Sequence, residues 1–186
     1  MNTDTAAEIA ADVHAGRRSP QDVVETSLAR IDALDPQLGA FQVVATEAAR
    51  AEAAALSART DLASLPLAGV PVAIKDNIDV AGLPTRHGSA ATSMEPAAAD
   101  DELVRRLGAA GAIVVGKTRM PELSIWAVTE STAMGGTRNP LDPSRNAGGS
   151  TGGGAAAVVS GWSRWRSVLT AAARSASRPP TAALSV

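Results

Sequence analysis

Apolar positions in the first forty residues recur at helical spacing. Ile9 and Val13 lie four apart in an otherwise polar run, and Thr5 with Glu8 has the pattern of a capping box, which predicts a helix that lasts to Gly16. Ser19-Pro20-Gln21-Asp22 reads as a second start: a serine cap, proline at the first helical position and an acid in the first turn. Val23, Val24, Leu28 and Ile31 follow at helical spacing, and Asp35-Pro36 is expected to stop the run. Residues 41–45, FQVVA, suggest a short strand, and residues 47–59 an alanine-rich helix. The period then changes. Val70, Val72 and Ile74 alternate between turn residues, which predicts a buried strand ending near Lys75. Residues 100–110 carry Leu103, Val104 and Leu107 on one side of a helix, and residues 112–116 form a second apolar strand. A helix leading at once into an apolar strand points to α/β crossover architecture. Pro121 is placed to open a short helix, residues 135–154 form a long irregular glycine-rich stretch, and a further helix is expected to start at Ala155. No internal repeat is visible.

Composition narrows the class. A chain of 186 residues suffices for one domain with a real core. With 45% hydrophobic but only 2% aromatic residues, that core must rely on close backbone approach rather than on large side chains. A net charge of −2 offers no electrostatic case for nucleic-acid or membrane-surface binding. The absence of cysteine excludes disulfides, thiolate zinc sites and a cysteine nucleophile. The acidic, polar N-terminus has no signal-peptide pattern, and no apolar stretch approaches the ~20 residues of a membrane span, so a soluble, cytoplasmic protein is expected. His14, on an exposed helix face, and His87, in a polar loop, are the only histidines, and neither metal nor cofactor is expected.

Two residues stand out chemically. Lys75 ends an apolar strand: as a strand-end lysine it is ordinarily a solvated or snorkelling side chain. Held inside, it loses hydration, its pKa falls, and a neutral amine base becomes available. Ser150 lies in NAGGSTGGG, where glycines on both sides free the backbone for positive φ and close approach. Three readings of that loop stand: a flexible turn, a phosphate cradle at a helix N-terminus, or a catalytic hydroxyl in a tight turn. The cradle lacks the lysine of GxxxxGK[ST], and its glycines do not fit GxGxxG. A Ser-His-Asp triad through His87 is compatible with spacing alone, since triads are spatial. Asp79 and Asp142 sit in turn-forming contexts.

Three segments, GVPVAIKDNIDVAGLPTRHGS, DDELVRRLGAAGAIVVGKTRMPEL and TRNPLDPSRNAGGSTGGGAAAVVSG, together resemble the amidase signature family in order and spacing, over about residues 5–163. The resemblance implies an α/β fold, a mixed sheet flanked by helices, of which this chain carries the N-terminal part. It also implies hydrolysis or transfer of a carboxamide by a Ser-cis-Ser-Lys triad, with a small-molecule amide as substrate. The family's lysine maps onto Lys75, and the serine whose preceding peptide bond is cis maps onto Ser150. Thr151 replaces the serine commonly found next. In that mechanism neutral Lys75 takes a proton from Ser150, which takes one from a nucleophilic serine, and backbone N–H groups before the nucleophile stabilise the oxyanion. The resemblance extends to the amide-cleaving component of glutamyl-tRNA(Gln) amidotransferase, which needs partner subunits. For a full-length family member a homodimer is compatible with the resemblance.

The nucleophile would fall at position 174, where this chain has Arg174. Beyond Ser163 the text changes: residues 164–186 carry Arg164, Arg166, Arg174 and Arg178 and no acid. Written in plausible GC-rich codons and read one base out of step, that tail becomes PVALGTDGGGSIRVPPADCGLVG, which resembles the missing segment and puts a serine at position 174. The expectation is therefore residues 1–163 as the N-terminal part of an amidase-signature domain and 164–186 as an out-of-frame, disordered tail, inactive for want of the nucleophile. The rival is a non-catalytic fragment or binding protein with a basic disordered tail of its own.

Overall fold

A computed structural model describes residues 4–162. The expectations placed on residues 164–186, including the tail and position 174, lie outside the described residues. Both N-terminal capping boxes form. Thr5 caps α1 (Ala6–His14) and Ser19 caps α2 (Pro20–Leu38), each side chain accepting the backbone N–H three residues on and each third residue answering with its carboxylate. These are local bonds, which is why sequence alone locates them.

The far end of α2 departs from expectation. The helix runs through Pro36 to Leu38 and ends at Gly39, in the left-handed region at φ 62°. Asp35 explains the longer run. Its backbone carbonyl accepts the Gly39 N–H at 2.7 Å, and its carboxylate accepts Ala40 N–H at 2.6 Å and Phe41 N–H at 3.2 Å. These bonds satisfy the helix end, and buried Leu38 anchors it on the core, outweighing the local cost of the proline.

Strand β1 (Phe41–Val44) and helix α3 (Thr46–Ser57) follow, then β2 (Pro71–Lys75), α4 (Glu102–Ala109) and β3 (Ile113–Thr118). The second apolar strand reaches two residues beyond its expected end, to Thr118. The three strands form one mixed sheet in the order β1-β3-β2, with β3 parallel to β2 and antiparallel to β1. Every residue of β2 and β3 is buried, as expected for strands covered on both faces. The α/β class and the crossover between β2 and β3 through α4 are as the pattern implied.

The glycine-rich stretch is more ordered than its composition suggests. It contains two short antiparallel pairs, β4 (Glu130–Ser131) with β5 (Gly135–Gly136), and β6 (Arg138–Asn139) with β7 (Asp142–Asn146). Pro121 precedes a single 3₁₀ turn, Glu122–Ser124. Helix α5 (Gly152–Val159) begins at Gly152, three residues before the alanines. Its last turn leads to Trp162, which is fully buried with its ring 6.0 Å from that of Phe41. The Trp162 carbonyl accepts a hydrogen bond from Ser27 of α2, tying the end of the described chain to its beginning. Among the described residues, no helix is long and apolar enough to cross a membrane.

Candidate active site

Residues 75 and 150 are far apart in sequence but meet in the fold. β2 carries Lys75 at its C-terminal end, 4% exposed. The turn that leads into α5 carries Ser150, half-buried, and Lys75 Nζ donates to Ser150 Oγ at 3.2 Å. No other side-chain hydrogen bond of Lys75 and no ion pair for it occurs among the described residues. Burial pushes its amine below the ordinary lysine value.

The turn around Ser150 is held from behind. The peptide bond between Gly149 and Ser150 is cis. Thr129 Oγ1 donates to the Gly148 carbonyl at 2.7 Å and accepts the Gly152 N–H at 3.0 Å, so a single hydroxyl spans both sides of the serine. Asn146 adds a second brace. Its Oδ1 accepts the N–H of Thr129 at 3.1 Å and of Gly148 at 2.9 Å, and its Nδ2 donates to the Thr129 carbonyl at 3.0 Å. Sequence reasoning misses both Thr129 and Asn146. Their signal is present only as polar residues flanking a glycine loop, a pattern shared by any turn.

The glycines have a steric reason. A Cβ on Gly153 would strike the Ala40 carbonyl oxygen and stand 2.5 Å from that of Arg119. One on Gly149 would stand 2.9 Å from the Trp126 carbonyl oxygen. The turn is wedged against backbone on both sides, which fixes where the Ser150 hydroxyl points.

A second buried lysine lies on the neighbouring strand. Lys117, on β3 and fully buried, donates to Asp76 Oδ1 at 3.1 Å, to the Pro84 carbonyl at 2.9 Å and to Thr85 Oγ1 at 2.7 Å. Burial lowers its pKa, and the Asp76 carboxylate opposes that shift. Asp76 in turn accepts the Arg86 N–H at 3.4 Å on the same oxygen. An ammonium has three donors, and all three of Lys117's are placed. Among the described residues, the amine of Lys75 meets one side-chain partner.

The remaining candidates fall elsewhere. His87 is half-buried at φ 51°, and its backbone N–H donates to the Asp76 carbonyl at 2.9 Å; no side-chain bond joins it to Ser150 or Lys75 among the described residues. His14 is exposed, as expected, with Nε2 2.9 Å from the Leu65 carbonyl oxygen. Asp142 pairs with Arg145 and accepts from Ser144 within its own turn. Asp79 is an exposed residue that accepts the Asp101 N–H through its carbonyl. No group of His, Asp and Glu that could hold a metal ion occurs among the described residues. The fold brings Lys75 and Ser150 together, and among the described residues no second cation hydrogen-bonds to the Ser150 side chain.

Residues 22–164 match the model of the Amidase family. The putative amidase AmiB2 of Mycobacterium tuberculosis (strain ATCC 25618 / H37Rv) is 53% identical over 141 residues, which are 75% of this chain and 30% of that protein. The 1-carboxybiuret hydrolase component AtzE of Pseudomonas sp. (strain ADP) is 44% identical over 157 residues, 83% of this chain and 34% of that protein. A glutamyl-tRNA(Gln) amidotransferase component of Salinispora arenicola (strain CNS-205) is also 44% identical over 157 residues, 83% of this chain and 32% of that protein. A solved protein complex linked to the origins of an s-triazine catabolic enzyme superposes with a TM-score of 0.82 at 42% identity, over 86% of this chain and 36% of that one. The chain thus spans about a third of the length of the relatives it matches. On its sequence and on its fold alike, this chain belongs to the amidase family.

Proposed function

We propose that Lys75 and Ser150 are two members of a Ser-cis-Ser-Lys triad that hydrolyses the C–N bond of a small carboxamide, and that residues 1–163 are the N-terminal part of that enzyme. The observation that carries the reading is the 3.2 Å contact between a buried lysine, with no carboxylate partner among the described residues, and the serine of a braced turn. Neutral Lys75 accepts the proton of the Ser150 hydroxyl. Ser150 accepts the proton of a nucleophilic serine, whose oxygen attacks the amide carbonyl. The C–N bond breaks, the amine leaves with the relayed proton, and water releases the acyl group by the same relay.

In this reading the third member is absent from the chain. Its place is position 174, occupied by Arg174, and a one-base loss after the Ser163 codon accounts for the basic tail. The nucleotides of codons 160–190 test the shift: if no one-base change restores the family's text, the frameshift is wrong. The 186-residue chain is expected to show no amide turnover, and the frame-restored protein to show it. In the restored protein, Ser150→Ala and Lys75→Ala should each lower kcat by ~10²-fold or more. Turnover by the short chain that survives Ser150→Ala would remove the mechanism.

The 44% identity to an amidotransferase component favours a second reading, transfer rather than hydrolysis within a larger assembly. A restored protein that turns over small amides by itself excludes the need for partner subunits. Calorimetry of the 186-residue chain with the same amides separates a binder without turnover from either enzyme.

A further inference from the structure

The two buried lysines lie on paired strands but on opposite faces of the sheet. In the parallel register Ile74 stands opposite Lys117, and Lys75 opposite Thr118. Alternation along β2 puts Asp76 on the side of Ile74, hence of Lys117, and turns Lys75 to the other side, where it meets Ser150. The carboxylate next to Lys75 in sequence is thereby committed elsewhere.

We propose that Lys117 is a positioning residue: by holding the Asp76 carboxylate on the far face, it leaves Lys75 to face Ser150 with no carboxylate among the described residues to pair with. The inference rests on the reading of Lys75 as the base, and adds how the fold keeps that base unpaired.

The surroundings favour this arrangement. The turn carrying Ser150 and helix α5 bring no charged residue to Lys75: residues 147–159 are alanine, glycine, serine, threonine and valine throughout. On β1 the residues are Phe41, Gln42, Val43 and Val44. The charged groups on the strand ends and in residues 76–87 are Asp76, Lys117, Asp79, Arg86, His87 and Arg119; farther along the loop lie Glu95, Asp100 and Asp101. Asp79 is exposed and adds to the field at Lys117; the Arg86 side chain donates to the Ser89 carbonyl and Thr92 Oγ1. Arg119 donates to the Gly136 carbonyl at 3.2 Å. Asp76 is thus the carboxylate nearest in chain to Lys75, and Lys117 is its cation. The same ammonium grips Pro84 and Thr85, while the N–H groups of Arg86 and His87 reach Asp76. Lys117 and Asp76 therefore clamp the loop of residues 84–87 over the end of β2.

Trace acylation with acetic anhydride reads the charge on Lys75 directly. The 186-residue chain is labelled across a pH series, and the Lys75 peptide is followed by mass spectrometry with circular dichroism as the control for folding. Lys117→Gln keeps donors for Pro84 and Thr85 but removes the cation. It should raise the pH of half-labelling of Lys75 by about one unit, so that labelling near neutral pH falls about tenfold. Lys117→Arg, which keeps the charge, should leave it within about 0.3 unit, and so should Lys117→Gln with Asp76→Asn, which removes the pair together. A folded Lys117→Gln chain whose Lys75 midpoint does not rise overturns the proposal, as does a double variant that rises with the single one. If Lys117→Gln does not fold, Asp76→Asn decides: the midpoint must fall, and a midpoint that stays or rises overturns the proposal. The readout needs no amide turnover. A native Lys75 with an ordinary lysine midpoint would instead count against Lys75 as the base, so the two failures are distinguishable.

Discussion

Lys75 and Lys117 share a chemistry and a strand pair, and differ in what meets the ammonium. Lys117 has three acceptors, one of them a carboxylate, whereas Lys75 has the hydroxyl of Ser150. A buried cation with so little compensation weighs on stability, and the sign of the pH dependence follows. The amine of folded Lys75 is pushed below the ordinary value of 10.5, so between its lowered value and 10.5 the unfolded chain binds more protons than the folded one. This contribution makes stability rise with pH across that window; below the window the whole cost of charging Lys75 is present. Lys75→Met removes the cost. The variant is expected to be more stable than the native chain at pH 7, with the advantage shrinking toward pH 10.5. Urea unfolding at several pH values measures it. An advantage that does not change with pH would mean that apolar packing, and not the charge, is responsible.

At the scale of elements, what can be read from sequence is what is local. The capping boxes at Thr5 and Ser19, the period of α2 and the apolar runs of β2 and β3 all depend on residues within a turn or two of one another. Lys75 and Ser150 stand out through their strand-end and glycine-loop contexts together with the family resemblance. The pairing of Asp76 with Lys117, the Thr129 hydroxyl astride the serine turn and the continuation of α2 past Pro36 are not legible, because each depends on groups that only the fold brings together. The start of α5 shows the same limit. Glycine is the poorest helix former apart from proline, so propensity places the start at the alanines. In the fold, Gly152 and Gly153 form the first turn because nothing larger fits between Thr129, Ala40 and Arg119. Gly153→Ala tests this. Helix propensity alone favours alanine by about 1 kcal/mol. The new methyl would meet fixed backbone on two sides, and overpacking of this kind costs about 1–3 kcal/mol. A net loss of stability, seen as a lower thermal midpoint, is expected together with weaker docking of Trp162, visible in its fluorescence. A stabilised variant would show that α5 is free to move away from β1 and β3.

At the scale of the whole molecule, one surface is out of keeping with the rest. Leu123, Ile125, Trp126 and Val128 lie within six residues of one another and are 54%, 69%, 62% and 45% exposed. The same segment passes behind the turn that carries Ser150, since the Trp126 carbonyl is what a Cβ on Gly149 would strike. A run of large apolar side chains open to water favours association, and burying one such side chain is worth about 1.5–3 kcal/mol. The 186-residue chain is therefore expected to self-associate at micromolar concentration and to bind a hydrophobic dye. Ile125→Lys with Trp126→Lys should weaken association at least about tenfold in sedimentation velocity, with little change in the thermal midpoint, because neither side chain belongs to the core. On the proposed frame shift, the restored protein carries the opposite expectation. If the polypeptide that completes the family domain packs on this face, the restored protein binds the dye weakly, and the same two lysines lower its thermal midpoint by several degrees. Equal behaviour of the double variant in both lengths would mean that the face stays open in the restored protein as well, beside the turn that carries Ser150.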